Sequence, residues 1–300
     1  MATDPRLENV LETLWPGRQP TLSPITSGIT NANVKVELDG EAFVVRLPGA
    51  DTELLGIDRG AELEATRTAA AAGVGPEVVD FVDGCLVTRF VTGEPIPEAA
   101  LQREAVLANV VRSIRAIHAS PPIASTFPVF RIVERYRELA AERGITIPEA
   151  YDFARERAAQ IERVFAASPM PAATCHNDLL NANFLMDGDH VWIVDYEYAG
   201  MGDPFFDLGN FSINNGLSTE AQEVVLRLHL GEVRDTHRAR LGLMRLMSDF
   251  REAMWGVLQQ ALSVLDFDYV GYADRHFRRL EVTASDERFV RWLADAEERA

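Results

Sequence analysis

The sequence predicts an α+β fold, in which a small antiparallel β unit with one helix precedes a larger, mainly helical unit. In the first 91 residues, short apolar runs alternate with polar residues and are separated by Asp-Gly turns, as in β-hairpins. After residue 92, apolar residues recur at the spacing of amphipathic helices. We therefore expect two domains, at residues 1–91 and 92–300.

The amino-terminal unit contains most of the predicted strands. A short helix over residues 6–14 comes first and should stop near Pro16-Gly17. Residues 34–38 alternate in polarity, and Asp39-Gly40 favours a tight turn before a return strand over 42–47. The later elements are expected to be a helix over 58–72 and two short strands over 78–82 and 85–90.

Helical periodicity dominates the rest of the chain, apart from one irregular block. Val106, Val110, Ile114 and Ile117 recur at helical spacing and predict a helix over 104–118. Three further helices are expected over 129–143, 148–167 and 236–264. The block at 176–215 is rich in Asn and Asp and lacks such a pattern, so we expect the chemistry to lie there.

The composition excludes several classes of partner. A net charge of −17 opposes binding to nucleic acids and to anionic membrane surfaces, and it is compatible with a cationic small-molecule substrate. The N-terminus lacks a basic start with an apolar run, and no apolar stretch is long enough to span a bilayer. Cys85 and Cys175 form no metal-binding pattern and suit a reducing compartment. We therefore expect a cytoplasmic protein without stable membrane association.

One hairpin in the irregular block is predicted to gather polar side chains. Two short apolar segments flank Asp187-Gly188, which is a favoured tight-turn pair. Pairing outward from that turn places Asn183 opposite residues 192–194, so that Asn183 and Asp195 converge at the open end. Asp178 precedes Asn183 in a polar loop that leads to the same end.

Oxygen donors at one end of a hairpin suit a hard cation such as Mg²⁺. Phosphoryl transfer needs such a cation to offset the charge of the phosphates, and a separate carboxylate to orient the attacking hydroxyl. Asp178, Asn183 and Asp195 are therefore the candidate catalytic residues. The alternative is an Asx-rich turn that binds no metal, and the spacing of the whole block argues against it.

The pattern His176-x-Asp178-x4-Asn183, followed by Asp195-Tyr196-Glu197-Tyr198, resembles the signature of choline/ethanolamine kinases and aminoglycoside phosphotransferases. Protein kinases are more distantly similar. The resemblance implies a protein-kinase-like two-lobed fold, with a nucleotide-binding N-lobe at 1–91 and a catalytic, acceptor-binding C-lobe at 92–300. It also implies that ATP and Mg²⁺ are used, that Asp178 is the catalytic base, that Asn183 and Asp195 are metal ligands, and that His176 supports the loop.

The amino-terminal unit offers a candidate phosphate-binding loop. The segment from Ser27 to Asn33 is small and polar, so its backbone N–H groups can approach phosphate oxygens, although such a segment is more often a plain turn. It resembles the Leu-Thr-Asn-x-Asn loop of choline kinases. That resemblance implies nucleotide contacts from Ser27, Gly28, Thr30, Asn31 and Asn33.

Arg46 stands where kinases usually carry the strand lysine that contacts nucleotide phosphates, and an arginine there favours the choline kinase branch. A guanidinium can bind phosphate in a forked geometry. Its partner is expected to be Glu62, with Glu64 as the alternative, and either carboxylate could instead face solvent. By chain order and resemblance, the hinge that faces adenine is expected at Arg89, Phe90 and Val91.

The acceptor is expected to be held by aromatic faces and carboxylates if it carries an ammonium group. The C-terminal third resembles the C-lobe of choline kinases and implies that Trp255 and Tyr269 contact the substrate, together with Asp178. Glu197 either faces the amine or supports the structure, and either aromatic residue could belong to the core. The carboxylates in this region are Asp249, Glu252, Asp266 and Asp268. The chain departs from its eukaryotic relatives at two places. Leu258 stands where those tend to carry a second tryptophan, and residues 211–215 stand where they carry aromatic and acidic residues.

These observations predict an ATP-dependent kinase that transfers the γ-phosphoryl group to the hydroxyl of choline, ethanolamine or a related small amino alcohol. Two alternatives stay open. One is a kinase of another small molecule, such as an aminoglycoside, thiamine or a sugar. The other is a nucleotide-binding pseudokinase, against which the competent residues at all three polar catalytic positions argue.

Overall fold

A computed structural model describes residues 4–25, 31–49 and 51–297. The amino-terminal sheet consists of β1 (Thr21–Ile25), β2 (Ala32–Leu38), β3 (Glu41–Leu47), β4 (Val78–Val82) and β5 (Cys85–Arg89). The strands are antiparallel and run in the order β1-β2-β3-β5-β4. Leu38 pairs with Glu41, which confirms the predicted hairpin. The sequence does not predict β1, because this edge strand contains Pro24 and is mostly exposed.

Two helices accompany this sheet, which is one more than the fold class predicted for the unit. They are α1 (Pro5–Leu14) and α2 (Arg59–Ala71). Leu7 and Val10 of α1 share a small apolar core with Val36 and Phe43 of the sheet. The periodicity predicts α1 as a helix, but only the structure attaches it to this sheet. The Asp58 side chain caps α2 by accepting a hydrogen bond from the backbone of Ala61 (2.8 Å).

The remainder is mainly helical, as predicted, and its core surrounds one long helix. The helices are α3 (Glu104–His118), α4 (Val129–Glu142), α5 (Ala150–Ala167), α6 (Pro204–Asn214), α7 (Thr219–Leu230), α8 (Asp235–Leu262), α9 (Tyr269–Ala284) and α10 (Arg288–Glu297). Most of α8 is buried, and its side chains belong to the larger of the two apolar cores. The sequence therefore predicts α3, α4, α5 and α8 to within about two residues.

Helix α6 corrects the expectation that the whole Asn- and Asp-rich block is irregular. Asp203 accepts a hydrogen bond from the backbone of Phe205 (2.9 Å), and Pro204 occupies the first turn. Residues from Phe205 to Ile213 are all buried, so no polar face signals a helix in the sequence. Gly209 allows close packing on α8, because a Cβ there would lie 2.7 Å from the Met244 carbonyl carbon.

Five short strands lie within the helical part and position the candidate site. They are β6 (Glu94–Pro95), β7 (Ala173–Cys175), β8 (Phe184–Asp187), β9 (His190–Ile193) and β10 (Gly200–Gly202). The β8–β9 hairpin pairs Phe184 with Ile193, and Ser113 of α3 donates a hydrogen bond to the Val191 carbonyl (2.7 Å). Within the described ranges, no helix has both the length and the apolarity to cross a membrane. The domain boundary after residue 91 stays a prediction.

Candidate functional site

The β8–β9 hairpin brings Asn183 and Asp195 to the same end, as its spacing predicts. The backbone N–H of Val194 donates to the carbonyl of Asn183 (3.0 Å), so these two residues lie opposite each other. The Asn183 side chain donates through Nδ2 to the backbone carbonyl of Asp178 (2.8 Å). Asp195 has a positive φ of 71°, an uncommon conformation for a non-glycine residue that accompanies functional sites.

A buried carboxylate holds the loop that contains Asp178. Asp207 of α6 accepts hydrogen bonds from the backbone N–H groups of His176 (2.8 Å) and Asn177 (2.6 Å). His118 of α3 donates from Nε2 to the same carboxylate (2.9 Å), and His229 of α7 lies 2.9 Å from His118 Nδ1. Burial acts to raise the pKa of Asp207, but these hydrogen bonds and nearby histidines lower it, so the carboxylate stays ionised.

His176 joins the loop to the hairpin. Its Nδ1 accepts a hydrogen bond from the backbone of Asp178 (3.2 Å), and its Nε2 lies 3.0 Å from the Val194 carbonyl, to which it can therefore donate. The ring is buried, and burial lowers its pKa, which favours the neutral form with one donor and one acceptor. His176 therefore has the contacts of a structural residue.

Arg46 of β3 contacts both Glu62 and Asp195 through the same guanidinium nitrogen. The distances from Arg46 Nη1 are 2.9 Å to Glu62 Oε1 and 2.5 Å to Asp195 Oδ1. Burial disfavours the charge on Arg46, but the two carboxylates raise its pKa, so it is a permanent cation. Glu64, the alternative partner, accepts a hydrogen bond from the backbone of Ala124 instead (3.0 Å). The sheet, α2 and the hairpin are thus linked by one ion cluster.

A second arginine, Arg59, extends this cluster toward Glu197 and was not identified in the sequence. Its Nη1 lies 2.7 Å from Glu62 Oε2 and 3.4 Å from Glu197 Oε2. Asn31 bridges the same groups, because it donates to Glu197 (2.7 Å) and accepts from Arg59 Nη2 (3.0 Å). The i,i+3 spacing of Arg59 and Glu62 on α2 was the signal available in the sequence.

A cleft of about 250 Å³ opens between the sheet and the hairpin. The predicted nucleotide residues that line it are Asn33, Arg46, Glu62, Arg89, Phe90 and Val91, and Asp195 also lines it. The backbone N–H groups of Arg89 and Phe90 donate to Glu77 and Ala42, so they are already used within the sheet. Ser27, Gly28 and Thr30 lie outside the described residues, and Asn31 faces Glu197 rather than this cleft.

Two carboxyl groups beside the cleft have strongly shifted pKa values. Burial raises the pKa of Asp178 to about 8, against the opposing effect of the Arg251 guanidinium. Burial likewise raises the pKa of Glu197 to about 7, with a further contribution from the charge of Asp195. Carboxyl groups in dry, charged surroundings of this kind are common at catalytic sites.

On the other side of Asp178 lies a buried network that belongs to α8 and α9. Arg251 Nη1 lies 3.2 Å from Asp178 Oδ1 and 2.7 Å from Glu252 Oε1. Tyr272 donates its hydroxyl to Glu252 Oε2 (2.8 Å). Glu252 is one of the carboxylates expected near the acceptor from the sequence, whereas no local pattern points to Arg251. Asp249, in contrast, pairs with Arg279.

The two aromatic residues predicted to contact substrate lie close to each other behind Tyr198. Trp255 donates from its indole N–H to the Tyr198 hydroxyl (3.1 Å), and its ring meets Tyr269 at a centroid distance of 5.9 Å. Tyr269 donates its hydroxyl to Ser263 (2.7 Å). Both residues are only 5% exposed. Trp255 is thus linked to Tyr198, whose ring contacts the Arg251 guanidinium (4.2 Å).

The donor set at the hairpin fits a hard divalent cation. Because the Asn183 amide donates from Nδ2 to the Asp178 carbonyl, its Oδ1 is left as a potential ligand. The Asp195 carboxylate is about one quarter exposed, and Arg46 contacts only one of its two oxygens, Oδ1. An amide oxygen and a carboxylate are ligands that Mg²⁺ accepts.

The sequence of this chain is similar to those of known phosphotransferases. The family model described as the phosphotransferase enzyme family matches residues 21–242. A LicA protein of Haemophilus influenzae is 29% identical over 70% of this chain and 63% of its own length. Ethanolamine kinase 1 of Mus musculus is 26% identical over 90% of this chain and 87% of its own length.

Solved structures extend the similarity to the whole fold. A choline/ethanolamine kinase family protein from Mesorhizobium loti superposes with a TM-score of 0.84 and 30% identity, covering 97% of this chain and 98% of the other. Choline kinase LicA from Streptococcus pneumoniae shares the fold at a TM-score of 0.78 and 19% identity, over 96% of this chain and 97% of the other. The chain therefore belongs to the phosphotransferase enzyme family and, within it, to the choline/ethanolamine kinase family.

Proposed function

We propose that this protein transfers the γ-phosphoryl group of ATP to the hydroxyl of choline, ethanolamine or a related small amino alcohol. The observation that carries the proposal is that Asn183 donates to the backbone carbonyl of Asp178 and lies opposite Val194, next to Asp195, which lines the cleft together with Arg46. The names of the relatives, choline kinase and ethanolamine kinase, support the class of acceptor.

In this proposal the cleft between the sheet and the hairpin binds ATP, so residues 1–91 supply the nucleotide-binding part. Val91 and its neighbours would face adenine, and Arg46 would contact the phosphates. Arg46 is suited to that role because it lines the cleft and contacts both Glu62 and Asp195, which hold its guanidinium in place. A guanidinium held in place by carboxylates loses little conformational entropy when it binds phosphate.

Asn183 and Asp195 would hold Mg²⁺, which when bound offsets the negative charge of the nucleotide phosphates. Asp178 would accept a hydrogen bond from the acceptor hydroxyl and take its proton as the new O–P bond forms and ADP leaves. The buried position of Asp178 supports this role, because its raised pKa makes it a stronger base than an exposed aspartate.

The His118–Asp207 hydrogen bond is expected to position the loop that carries Asp178. Because His118 supports Asp207 and Asp207 holds the backbone at His176, removing this imidazole should displace the loop. We expect His118→Ala to lower kcat by about 100-fold, the usual effect of a displacement of about 1 Å, with little change in KM for ATP. Steady-state kinetics would measure this separation of kcat from KM.

Two further variants make the His118 result interpretable. His118→Gln, whose amide can still donate to Asp207, should recover part of the lost kcat. His190→Ala changes an exposed histidine in the β8–β9 hairpin and should behave like the unchanged protein. Equal losses of kcat in His118→Ala and His190→Ala, or no loss in either, would contradict the positioning role.

A substrate panel with coupled detection of ADP tests the proposed function. Choline and ethanolamine are expected to be phosphorylated in an ATP- and Mg²⁺-dependent reaction. An aminoglycoside, thiamine and a sugar are expected to release no more ADP than a reaction without an acceptor. Turnover confined to the latter group would refute the proposed acceptor. ATP binding without turnover on any hydroxyl compound would instead indicate a pseudokinase.

A further inference from the structure

Arg251 contacts both the proposed base and the ring of Tyr198. Its guanidinium carbon lies 4.2 Å from the centre of the Tyr198 ring, and its Nη1 lies 3.2 Å from Asp178 Oδ1. The residue is 1% exposed. A cation is therefore already stacked on the aromatic face that adjoins Asp178.

The other aromatic residues of this region are closely packed against one another. Trp255 meets the rings of Tyr269 and Tyr272 edge-on, at centroid distances of 5.9 Å and 5.6 Å. The Tyr272 ring also packs on His276, with centroids 4.5 Å apart. A quaternary ammonium carries no N–H group and is held mainly by open aromatic faces. The Tyr198 ring face that is nearest to Asp178 is covered by the Arg251 guanidinium.

Polar groups, in contrast, surround the space beside Asp178. Glu252 and Glu197 are buried, and Glu252 Oε1 accepts from Arg251 while Oε2 accepts from Tyr272. Within the described part of the chain, Arg251 Nε and Nη2 are buried without a hydrogen-bond partner. Methyl groups of a quaternary ammonium cannot donate a hydrogen bond to these carboxylates, whereas a primary ammonium can donate to them directly.

We propose that Arg251 is a specificity-determining residue that makes the site select an alcohol with a primary ammonium group over one with a quaternary ammonium group. The proposal rests on the proposed function, because it assumes that the acceptor hydroxyl meets Asp178. An ammonium group two carbons from that hydroxyl then lies beside the Arg251 guanidinium and the Glu252 carboxylate. Stacking of Arg251 on Tyr198 excludes the bulkier methylated group, and the carboxylates bind the primary one.

A series of acceptors tests the selection directly. Ethanolamine, its mono- and dimethylated derivatives and choline differ only in the number of N-methyl groups. We expect kcat/KM to fall with each methyl group, with ethanolamine favoured over choline by roughly tenfold or more, the scale of one cation–π contact. In Arg251→Met, the exposed Tyr198 face should bind the methylated group, and the preference should fall by roughly the same factor.

The ratio of kcat/KM for ethanolamine to kcat/KM for choline separates a change in specificity from a general loss of activity. A loss that is the same for all acceptors cancels in this ratio. Arg240→Met is the matched control, since Arg240 is also buried on α8, stacks on Phe165 (4.0 Å) and pairs with Asp203 (2.7 Å). The Arg240→Met variant should keep the ratio of kcat/KM for ethanolamine to kcat/KM for choline that the unchanged protein has. Circular dichroism establishes folding, and Arg251→Gln replaces Arg251→Met if the latter does not fold.

Four outcomes overturn the inference. A preference of the unchanged protein for choline would do so, and so would equal use of all four acceptors, while both leave the proposed function intact. A folded Arg251 variant that keeps the original ratio would show that another residue sets the preference. Failure of every amino alcohol, with ATP bound, would refute the proposed function and this inference together.

Discussion

Replacing Asp178 with asparagine is expected to lower kcat by roughly 10²–10⁴-fold, the usual contribution of a positioned general base. Asparagine has nearly the same shape and can still lie beside Arg251, but it cannot take the proton of the acceptor hydroxyl. The backbone carbonyl of Asp178, to which Asn183 donates, is unchanged by the substitution. Binding of Mg²⁺ and ATP should therefore persist.

The measurement combines steady-state kinetics with calorimetric titration of nucleotide into the Asp178→Asn variant. Asp189→Asn serves as the control, because Asp189 is exposed in the turn of the β8–β9 hairpin and the substitution removes the same charge. The control should keep its kcat. A kcat in Asp178→Asn within a factor of about two of the unchanged protein would reject the assigned role. Loss of nucleotide binding in that variant would instead indicate that Asp178 holds the binding site together.

Replacing Arg46 with methionine is expected to affect both nucleotide use and stability. The change removes the cation that contacts Glu62 and Asp195, and Glu62 is 1% exposed. Removing one partner of a buried ion pair costs up to about 3–5 kcal/mol of unfolding free energy, and we expect the lower end of that range because Arg59 still contacts Glu62. Loss of charge-assisted hydrogen bonds to phosphate should also weaken ATP binding by roughly 10–100-fold.

Thermal unfolding and nucleotide titration measure the two effects separately. Arg67→Met is the matched control, since Arg67 is exposed on α2 and the substitution removes the same side chain. Its melting temperature and its affinity for ATP should stay close to those of the unchanged protein. If Arg46→Met lost stability but bound ATP normally, Arg46 would be a structural bridge and not a phosphate ligand. Normal stability would contradict the energetic importance of the ion cluster.

The two predictions probe the same carboxylate-rich site from opposite sides. Arg46 and Arg59 offset Glu62, Glu197 and Asp195 at the cleft, whereas Arg251 offsets Asp178 and Glu252 on the other side. Each guanidinium contacts at least two carboxylates. The arginines therefore offset part of the negative charge of this buried site before a metal or an ammonium group binds, although burial still raises the pKa values of Asp178 and Glu197.

Local spacing made part of this site predictable. Asn183 and Asp195 are separated only by a hairpin, whose tight turn and apolar strands determine which residues lie opposite each other. Likewise the β2–β3 hairpin, the first turn of α2 and the long periodic helices follow from short-range patterns. The sequence thus determined the fold class, the hairpin and the approach of Asn183 and Asp195 at its end, because these depend on neighbours close in the chain. The catalytic roles of Asp178, Asn183 and Asp195 stay predictions.

Only the tertiary structure decided which distant residues complete the site. Arg251 is 73 residues from Asp178 along the chain, and His118 is 89 from Asp207, so no local pattern links either pair. Helix α6 was missed because burial on all sides removes the polar face that marks a helix. Packing brings α3, α6 and α8 together around the loop, and buried polar groups there must find partners wherever the fold provides them. Arg251 therefore pairs with Asp178, and His118 pairs with Asp207, although each pair is far apart in the sequence.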